Sequence, residues 1–376
     1  MKILFTTGGS GGHFYPIIAV AEKINQLIKD ERLLPADLYF MSDSPYDKKA
    51  LQENNIEYIQ NSAGKLRRYF SWLNFADVIK MGWGIFTSLF KVFSLYPDVV
   101  FSKGAYASLP TVIAARLLGI PIIIHESDSI PGRTNLFAGK FATKIAVSYP
   151  EAAQYFKADN KVAVTGNPVR EVITKPNAVG AVEYLKLFPN LPTILILGGS
   201  LGSQIINDTI IEALPDLVSK YQIIHQTGKE NITGVANLAN MILKENENKG
   251  RYHVVDYLNE LGLTMAASVA NVIISRAGST IFEIANWGIP SIIIPITDSN
   301  GDHQRRNAYT YARSGACTVL EEDNLSSVVL ISEIDRILEN PDIAKKMSAS
   351  AKEFARPDAA TKIAREILNI ALSHEN

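Results

Sequence analysis

The sequence predicts an α/β protein of two domains, each built on a parallel β-sheet, and three observations support this prediction. The chain has 376 residues, and single hydrophobic cores usually stop growing well before this length. Short continuous apolar runs alternate with longer helical patterns, as expected for strands that helices cover on both faces. A strand, a glycine-rich loop and a helix follow one another near the start of each half of the chain.

The strands are predicted from short runs rich in Ile, Val, Leu and Phe. In the first half these runs are residues 3–7, 38–41, 56–59, 99–101, 122–124, 145–147 and 162–165. In the second half they are residues 194–197, 223–225, 254–255, 272–274 and 292–294. The helical stretches between them imply βαβ units and therefore parallel sheets.

The two glycine-rich loops indicate how the domains are organised. Residues 8–12 (Gly-Gly-Ser-Gly-Gly) follow the first strand, and residues 198–202 (Gly-Gly-Ser-Leu-Gly) follow the first strand of the second half. We therefore predict two Rossmann-like domains, residues 1–166 and 167–356, whose parallel sheets face each other across a cleft. The last helix, residues 357–376, is expected to pack back on the first domain.

Composition excludes several classes of protein. With 47% hydrophobic and 20% charged residues the chain is globular, and a net charge of −1 argues against a nucleic-acid partner. The single cysteine, Cys317, excludes an internal disulfide and a multi-cysteine metal site, and a buried strand position is expected for it. The chain opens with a strand pattern in place of a basic leader, and prolines and glycines interrupt its longest uncharged stretch, residues 187–207. We expect a cytoplasmic protein whose contact with any membrane is peripheral.

A glycine-rich turn between a strand and a helix suits a diphosphate, because it exposes backbone amides at the positive end of the helix dipole. Tight turns also need glycine for packing alone. Neither loop has the dinucleotide fingerprint or the Lys-Ser/Thr of a P-loop, which argues against a dehydrogenase or a nucleoside triphosphatase. Two such loops suit a donor on one domain and an acceptor on the other.

Three segments of the first half carry candidate catalytic groups. His13 follows the first loop directly, where a neutral imidazole can take a proton from a hydroxyl near pH 7; its alternative role is to pack or cap the helix. Residues 125–129 (His-Glu-Ser-Asp-Ser) end a strand, where ligands collect in open parallel sheets, but they also suit a solvated loop with a helix cap. Residues 104–108 (Gly-Ala-Tyr-Ala-Ser) follow another strand and also suit an ordinary turn.

Two segments of the second half suit a nucleotide and a sugar. In residues 275–280, exposed amides and Arg276 would suit a phosphate, and Glu283 would bridge the two hydroxyls of a ribose. The alternative for Glu283 is an acidic group at a helix start that the dipole satisfies. Residues 302–304 (Asp-His-Gln) offer amide and imidazole groups to sugar hydroxyls, or form a polar first turn.

Basic and aromatic residues are interleaved from Lys65 to Lys103. The basic residues are at positions 65, 67, 68, 80, 91 and 103, and the aromatic residues include Trp72, Phe75, Trp83, Phe86 and Phe90. An amphipathic helix of this composition suits an anionic membrane surface, with Lys65 to Lys91 as the contact region. The alternative is that the aromatic side chains pack into the core of the first domain.

Taken together, these motifs resemble the MurG family of glycosyltransferases. The matching segments run in family order over nearly the whole chain and are residues 8–13, 104–106, 125–128, 131–132, 166–170, 198–200, 276–283 and 303–304. The resemblance implies a GT-B fold, UDP-N-acetylglucosamine (UDP-GlcNAc) as donor, and undecaprenyl-pyrophosphoryl-MurNAc-pentapeptide (lipid I) as acceptor. The implied product is lipid II for peptidoglycan, made with inversion at the cytoplasmic face of the cell membrane without a cofactor or a protein-bound metal. Other cell-wall synthesis proteins would be its protein partners.

The resemblance also implies which residues form the site. His13, Glu126 and Tyr106 are the catalytic candidates, with His13 the first choice of general base and Glu126 or Asp128 the alternatives. The candidates for substrate binding are Ser10, Gly11, Gly12, Asp128, Arg170, Ser200, Val255, Arg276, Gly278, Ser279, Thr280, Glu283, His303 and Gln304.

Two departures from the family pattern and two rival functions accompany this interpretation. Asp128 stands where many members carry Asn, and residues 276–283 are one residue shorter than the commonest pattern.

One rival is a UDP-GlcNAc 2-epimerase-like isomerase of the same architecture, which has no use for a lipid-facing patch. The other is a non-catalytic glycolipid-binding partner, which would not need the motifs of both halves in one chain.

Overall fold

The computed structural model describes residues 1–64, 72–157, 159–199 and 201–373. It divides into two compact units. The first unit comprises Met1–Arg170 and Arg356–Asn376, and the second comprises Glu171–Ala355.

The first unit alternates strands and helices from its first residues. Its elements are β1 (Lys2–Thr6), α1 (Gly11–Glu31), β2 (Asp37–Ser42), α2 (Lys48–Glu53), β3 (Ile56–Gln60), α3 (Trp72–Leu95), β4 (Val99–Ser102), α4 (Leu109–Leu117), β5 (Ile122–Glu126), α5 (Arg133–Gly139), β6 (Lys144–Val147), α6 (Pro150–Ala153) and β7 (Val162–Val164). The strands form one parallel sheet in the order β3-β2-β1-β4-β5-β6-β7. The chain therefore changes direction across the sheet between β1 and β4, and ligands bind at such a switch point in open α/β sheets.

The second unit repeats this plan. Its elements are α7 (Glu171–Thr174), α8 (Ala181–Tyr184), β8 (Thr193–Leu197), α9 (Gln204–Lys220), β9 (Gln222–Gln226), α10 (Ile232–Ile242), β10 (Tyr252–Val255), α11 (Glu260–Val269), β11 (Ala270–Ser275), α12 (Thr280–Trp287), β12 (Ser291–Ile293), α13 (His303–Arg313), β13 (Cys317–Val319), α14 (Ser327–Leu338) and α15 (Pro341–Phe354). The sheet is again parallel, in the order β10-β9-β8-β11-β12-β13. Its switch point lies between β8 and β11. The two parallel sheets confirm the predicted fold class.

The chain returns to the first unit through its last helix, α16 (Ala359–Leu372). Ile363, Ile367 and Leu368 of α16 are buried in the same cluster as Phe14 and Ile17 of α1. Their spacing places them on one helical face, and burial of each large aliphatic side chain contributes about 1.5–3 kcal/mol. Residues more than 350 positions from the start of the chain therefore complete the hydrophobic core of the first unit.

The structure describes only part of the segment in which basic and aromatic residues are interleaved. Residues 65–71 lie outside the described residues, whereas Asp77–Leu95 of α3 is described. This stretch is long and apolar enough to span a membrane, a property that it shares with core helices of soluble proteins. Lys103, which belongs to the basic residues of this stretch but not to the predicted contact region, is fully buried and adds nothing to a basic surface.

Candidate active site

The loop after β1 presents the amino end of α1. The Ser10 carbonyl accepts hydrogen bonds from the amides of His13 and Phe14, at 3.1 and 2.9 Å, which starts the helix. Glycine is required here because other chain segments lie so close. A Cβ at Gly8 would lie 2.6 Å from that of Ala105, and a Cβ at Gly11 would lie 2.7 Å from the Tyr46 hydroxyl. The loop therefore exposes Ser10 and the first amides of the helix, where an anion is stabilised.

The loop after β4 lies beside this loop, as expected at the switch point. Ala105 has φ 64° and ψ 164°, a conformation that residues other than glycine rarely adopt. The next residue, Tyr106, donates its hydroxyl hydrogen to Asp43 at 2.8 Å. Burial, together with this bond and the charge of Asp43, raises the pKa of Tyr106 to about 12. Tyr106 is therefore protonated at neutral pH and acts here as a hydrogen-bond donor.

A buried lysine connects three loops at the same edge of the sheet. The Lys103 ammonium lies 2.6 Å from Nδ1 of His125, 2.6 Å from the Ser127 hydroxyl and 3.1 Å from Oδ1 of Asn167. Because an ammonium only donates, Nδ1 of His125 must accept, and its Nε2 then donates to the Gly166 carbonyl at 3.0 Å. Burial and the Lys103 charge hold the pKa of His125 well below its usual value. His125 is therefore neutral, with its hydrogen on Nε2.

Glu126 is also buried, and its carboxylate is fully engaged. One oxygen accepts the amide of Asp128 at 2.9 Å, and the other accepts the amide of Gly132 at 3.0 Å and the Asn135 side-chain amide at 2.9 Å. Burial and the nearby Asp128 charge raise the pKa of Glu126 above its usual value, although these hydrogen bonds oppose the rise. In this arrangement the carboxylate organises the loop after β5.

His13 and Arg170 occupy positions closer to solvent. His13 is the third residue of α1, is half-buried, and lies close enough to His125 that its charge contributes to lowering the pKa of His125. The Arg170 guanidinium stacks on the Tyr15 ring, with its carbon 4.3 Å from the ring centroid. The first unit thus places Ser10 and the first residues of α1 (Gly11, Gly12 and His13) after β1, Tyr106 after β4, and Glu126 and Asp128 at the end of β5.

In the second unit the loop after β8 is tied to the loop after β11. Ser200 lies outside the described residues. Ser203 caps α9 through a hydrogen bond to the Ile206 amide and accepts a hydrogen bond from Arg276 at 2.6 Å. Arg276 also donates to the Ile294 carbonyl at 3.0 Å and forms an ion pair with Glu322 at 2.6 Å. Its guanidinium is therefore held by protein groups, where sequence reasoning assigned it to a phosphate.

The loop that leads into α12 has open space beside its backbone. Ser279 precedes the helix, and among the described residues other than its two chain neighbours no atom lies within 4 Å of a Cβ built on Gly278. The buried Asn307 side chain fixes this turn by donating to the Ala277 carbonyl at 3.2 Å. Glu283 lies in the first turn and is half-buried. Helix α12 begins at Thr280, which places residues 279–281 at the start of the helix.

The remaining candidates of the second unit follow other strands of its sheet. The Val255 carbonyl, at the end of β10, accepts from the Thr227 amide at 3.0 Å. Gln304 lies in the first turn of α13, which begins at His303, and accepts from the Ile296 amide at 3.2 Å. The backbone carbonyl of Val255 and the side-chain oxygen of Gln304 therefore each stabilise a neighbouring loop.

Sequence reasoning missed the buried polar residues beneath these loops. They include Lys103, Asn135 and Asn167 in the first unit, and Asn207 and His225 in the second. His225 contacts the Tyr252 hydroxyl at 2.8 Å through Nδ1 and Asn207 at 3.0 Å through Nε2, while Asn207 also donates to the Thr227 carbonyl at 3.2 Å. The one available signal was a polar residue within an apolar strand pattern, as at His225 between Ile224 and Gln226.

Two Rossmann-like units, each with a glycine-rich loop at the switch point of its sheet, define the GT-B class of proteins. Residues 3–147 match the glycosyltransferase family 28 N-terminal domain, and residues 193–363 match the glycosyltransferase family 28 C-terminal domain. The UDP-N-acetylglucosamine–N-acetylmuramyl-(pentapeptide) pyrophosphoryl-undecaprenol N-acetylglucosamine transferase of Clostridium novyi is 37% identical over 356 residues, which cover 93% of this chain and 94% of that protein. Transferase 2 of the same name from Bacillus cereus is 35% identical over 370 residues, 97% of this chain and 99% of that protein. The chain therefore belongs to the family of these transferases, the MurG family.

Solved structures agree on the fold. The structure of Acinetobacter baumannii MurG has a TM-score of 0.72 and 24% identity, and the comparison covers 98% of this chain and 99% of that one. A UDP-GlcNAc 2-epimerase from Neisseria meningitidis, bound to UDP-GlcNAc, has a TM-score of 0.69 and 15% identity over 98% of this chain and 100% of that one. At these identities the similarity establishes the architecture alone. The family membership comes from the relatives above 30% identity.

Proposed function

We propose that this protein transfers N-acetylglucosamine from UDP-GlcNAc to lipid I, and so makes lipid II for peptidoglycan. The observation that carries the proposal is the match to named transferases along more than nine-tenths of both chains. Both glycine-rich loops lie at switch points, so each half retains a place for one substrate. The reaction is a displacement at the anomeric carbon of the donor sugar.

The donor is assigned to the second unit. The open turn at Gly278 and the amino end of α12 offer amides and a positive dipole to a diphosphate. Glu283, in the first turn of the helix, would accept the two ribose hydroxyl hydrogens. Arg276 contributes indirectly, because it holds the loop after β8 through Ser203.

The acceptor and its general base are assigned to the first unit. His13 is the best candidate base, because it lies in the first turn of α1 and is only half-buried, while Glu126 is committed to three N–H donors and Tyr106 is protonated. As the acceptor oxygen bonds to the anomeric carbon, its hydroxyl proton passes to the His13 imidazole. The bond from that carbon to the UDP oxygen breaks at the same time, and UDP leaves with the electron pair. Loop amides and helix dipoles would offset the charge on UDP.

Attachment to the membrane is assigned to one face of α3. Trp83, Phe86, Phe90 and Phe93 are 59%, 52%, 59% and 65% exposed, and their spacing of three or four residues places them on one side of the helix. Exposed apolar patches of this kind mark interaction surfaces. Lys80 lies in the same helix and is exposed, which suits an anionic leaflet.

The opposite face of α3 is packed against the first unit, which favours peripheral attachment over a membrane span. Ser88 is fully buried and lies 2.5 Å from the Asn61 side-chain amide, and a Cβ at Gly84 would lie 1.9 Å from the Ser62 carbonyl. A helix held in this way cannot be surrounded by lipid. We infer that the protein lies on the cytoplasmic face of the cell membrane, where other cell-wall synthesis proteins would be within reach.

A direct assay separates the proposed transferase from its two rivals. Labelled UDP-GlcNAc is incubated with a short-chain lipid I analogue, and both the lipid and the nucleotide fractions are analysed. A transferase gives labelled lipid and UDP in equal amounts, and only when the acceptor is present. An isomerase would give an epimeric UDP-sugar without acceptor, and a non-catalytic binding protein would give neither product.

A further inference from the structure

The first unit contains a buried cation that the proposed reaction does not use. Lys103 has no exposed surface, although a lysine is among the side chains least often fully buried. Taking an ammonium out of water is costly unless hydrogen bonds and opposite charges compensate it. A lysine in such a position therefore requires an explanation.

Compensation comes from three acceptors and two carboxylates. The acceptors are Nδ1 of His125, the Ser127 hydroxyl and Oδ1 of Asn167, at 2.6, 2.6 and 3.1 Å. Their number matches the three N–H groups of an ammonium. Burial lowers the pKa of Lys103 to about 7, and the nearby charges of Glu126 and Asp128 oppose this fall by favouring the ammonium.

These contacts join three separate loops at the carboxyl edge of the sheet. Lys103 itself follows β4 and leads directly into Gly104 and the strained Ala105. His125 and Ser127 belong to the end of β5, and Asn167 follows β7. The Lys103 amide also donates to the Thr6 carbonyl at 3.1 Å, so the end of β1, just before the His13 loop, is held as well.

We propose that Lys103 is a positioning residue for the transfer reaction, which holds the loops around His13 in register and keeps His125 as the neutral Nε2–H tautomer. The tautomer matters because His125 can donate to the Gly166 carbonyl only when its Nε2 carries the hydrogen. A methylene chain without the ammonium would leave Nδ1 of His125, Ser127 and Asn167 without their shared donor. The loops would then lose the contact that aligns them, and misplacement of a catalytic group by about 1 Å can cost on the order of 10²-fold in rate.

The proposal rests on the transferase function, and the test is arranged so that the two can fail separately. The Lys103→Met variant is compared with wild type and with Lys2→Met. Lys2 is a matched control because its ammonium donates to the Leu95 carbonyl, at 3.0 Å, at the opposite end of β1. Turnover with the lipid I analogue, KM for each substrate and melting temperature are measured on the same preparations. If wild type makes no labelled lipid, the proposed function fails, whatever Lys103 does.

With an active wild type, Lys103→Met should lower kcat by roughly 10- to 100-fold and leave the KM for UDP-GlcNAc within about twofold. Lys2→Met should keep normal turnover per folded molecule. The proposal is overturned if Lys103→Met keeps normal turnover, or if it loses melting temperature with normal turnover in the folded fraction.

The ¹⁵N resonances of the His125 ring provide a second measurement that does not depend on activity. In wild type they should report a neutral ring with hydrogen on Nε2 and an accepting Nδ1 from pH 6 to 8. A hydrogen on Nδ1, or a charged ring in this range, would contradict the proposal. If Lys103→Met does not fold, this spectrum of the wild-type protein and the Ser127→Ala variant, for which a smaller loss of kcat is expected, decide the question. Unchanged kcat in folded Ser127→Ala, or the wrong tautomer in wild type, would then overturn the proposal.

Discussion

Arg276 and Glu322 form an ion pair of 2.6 Å in the second unit, and both side chains are largely shielded, at 13% and 15% exposure. Burial raises the pKa of the Glu322 carboxyl, but hydrogen bonds from Thr297 and Arg276 outweigh this effect and hold the pKa below its usual value. The pair connects the loop after β11 to the segment that follows β13. Because Arg276 also reaches Ser203, one guanidinium ties together three loops on the side of the sheet assigned to the donor.

Arg276→Met should therefore destabilise the protein as well as weaken donor binding. Removing one partner of a fully buried ion pair costs about 3–5 kcal/mol, and this pair is only partly buried, so the free energy of unfolding should fall by a smaller amount, about 1–3 kcal/mol. Chemical denaturation and calorimetry with UDP-GlcNAc measure the two effects. Glu322→Gln is the matched variant, and it should lower stability similarly. If Arg276→Met weakened binding with unchanged stability, the guanidinium would act on the phosphate directly.

Glu283→Ala should weaken UDP-GlcNAc with little change in stability. Hydrogen bonds to a charged group contribute about 1.5–3 kcal/mol, so a loss of roughly 10- to 100-fold in affinity is expected. Glu260→Ala is the control, since Glu260 also lies in the first turn of a helix, α11. Isothermal titration should show normal affinity for the control. If Glu283→Ala bound UDP-GlcNAc with normal affinity, Glu283 would not bind the ribose, and its role would be that of an acidic group stabilised by the helix dipole.

Membrane binding should depend on the exposed face of α3. Burial of one Phe side chain contributes about 1.5–3 kcal/mol, so replacing both Phe86 and Phe90 by Ser should lower partition into anionic vesicles at least roughly tenfold. Sedimentation with phosphatidylglycerol vesicles measures this. The control replaces Leu238 and Met241, which are 45% and 72% exposed on α10 of the second unit. An equal loss in both variants, or no loss in the first, would reject α3 as the contact face.

His225 should make the protein less stable in acid. Burial lowers its pKa to about 3, so the folded state stays neutral where an unfolded histidine takes up a proton below about 6.5. Unfolding thus binds a proton in this window, and stability falls as the pH falls from 6.5 towards 3. The loss should be roughly 2 kcal/mol by pH 5. His225→Gln should show a shallower pH dependence of melting temperature, whereas Tyr252→Phe, which keeps the imidazole, should keep the wild-type slope.

The fold could be predicted from sequence because parallel strands covered on both faces leave continuous apolar runs. The positions of the two glycine-rich loops could be predicted as well, because glycines mark the turns after β1 and β8. Burial of Lys103 could not be predicted, because it depends on Asn167, 64 positions away, and on a partner histidine in the next strand. The ion pair of Arg276 with Glu322 could not be predicted for the same physical reason. A basic residue in a loop has the same local pattern whether it meets a phosphate or a glutamate from another strand.

The central claim is that His13 takes the proton of the acceptor hydroxyl, and the His13→Ala variant tests it most directly. Turnover, UDP-GlcNAc affinity and melting temperature are measured on one preparation. Because positioned general bases contribute about 10²–10⁴-fold, turnover with the lipid I analogue should fall by that factor while donor affinity and melting temperature stay near wild type. Near-normal turnover per folded molecule with a lowered melting temperature would contradict the account and leave His13 a packing residue of α1.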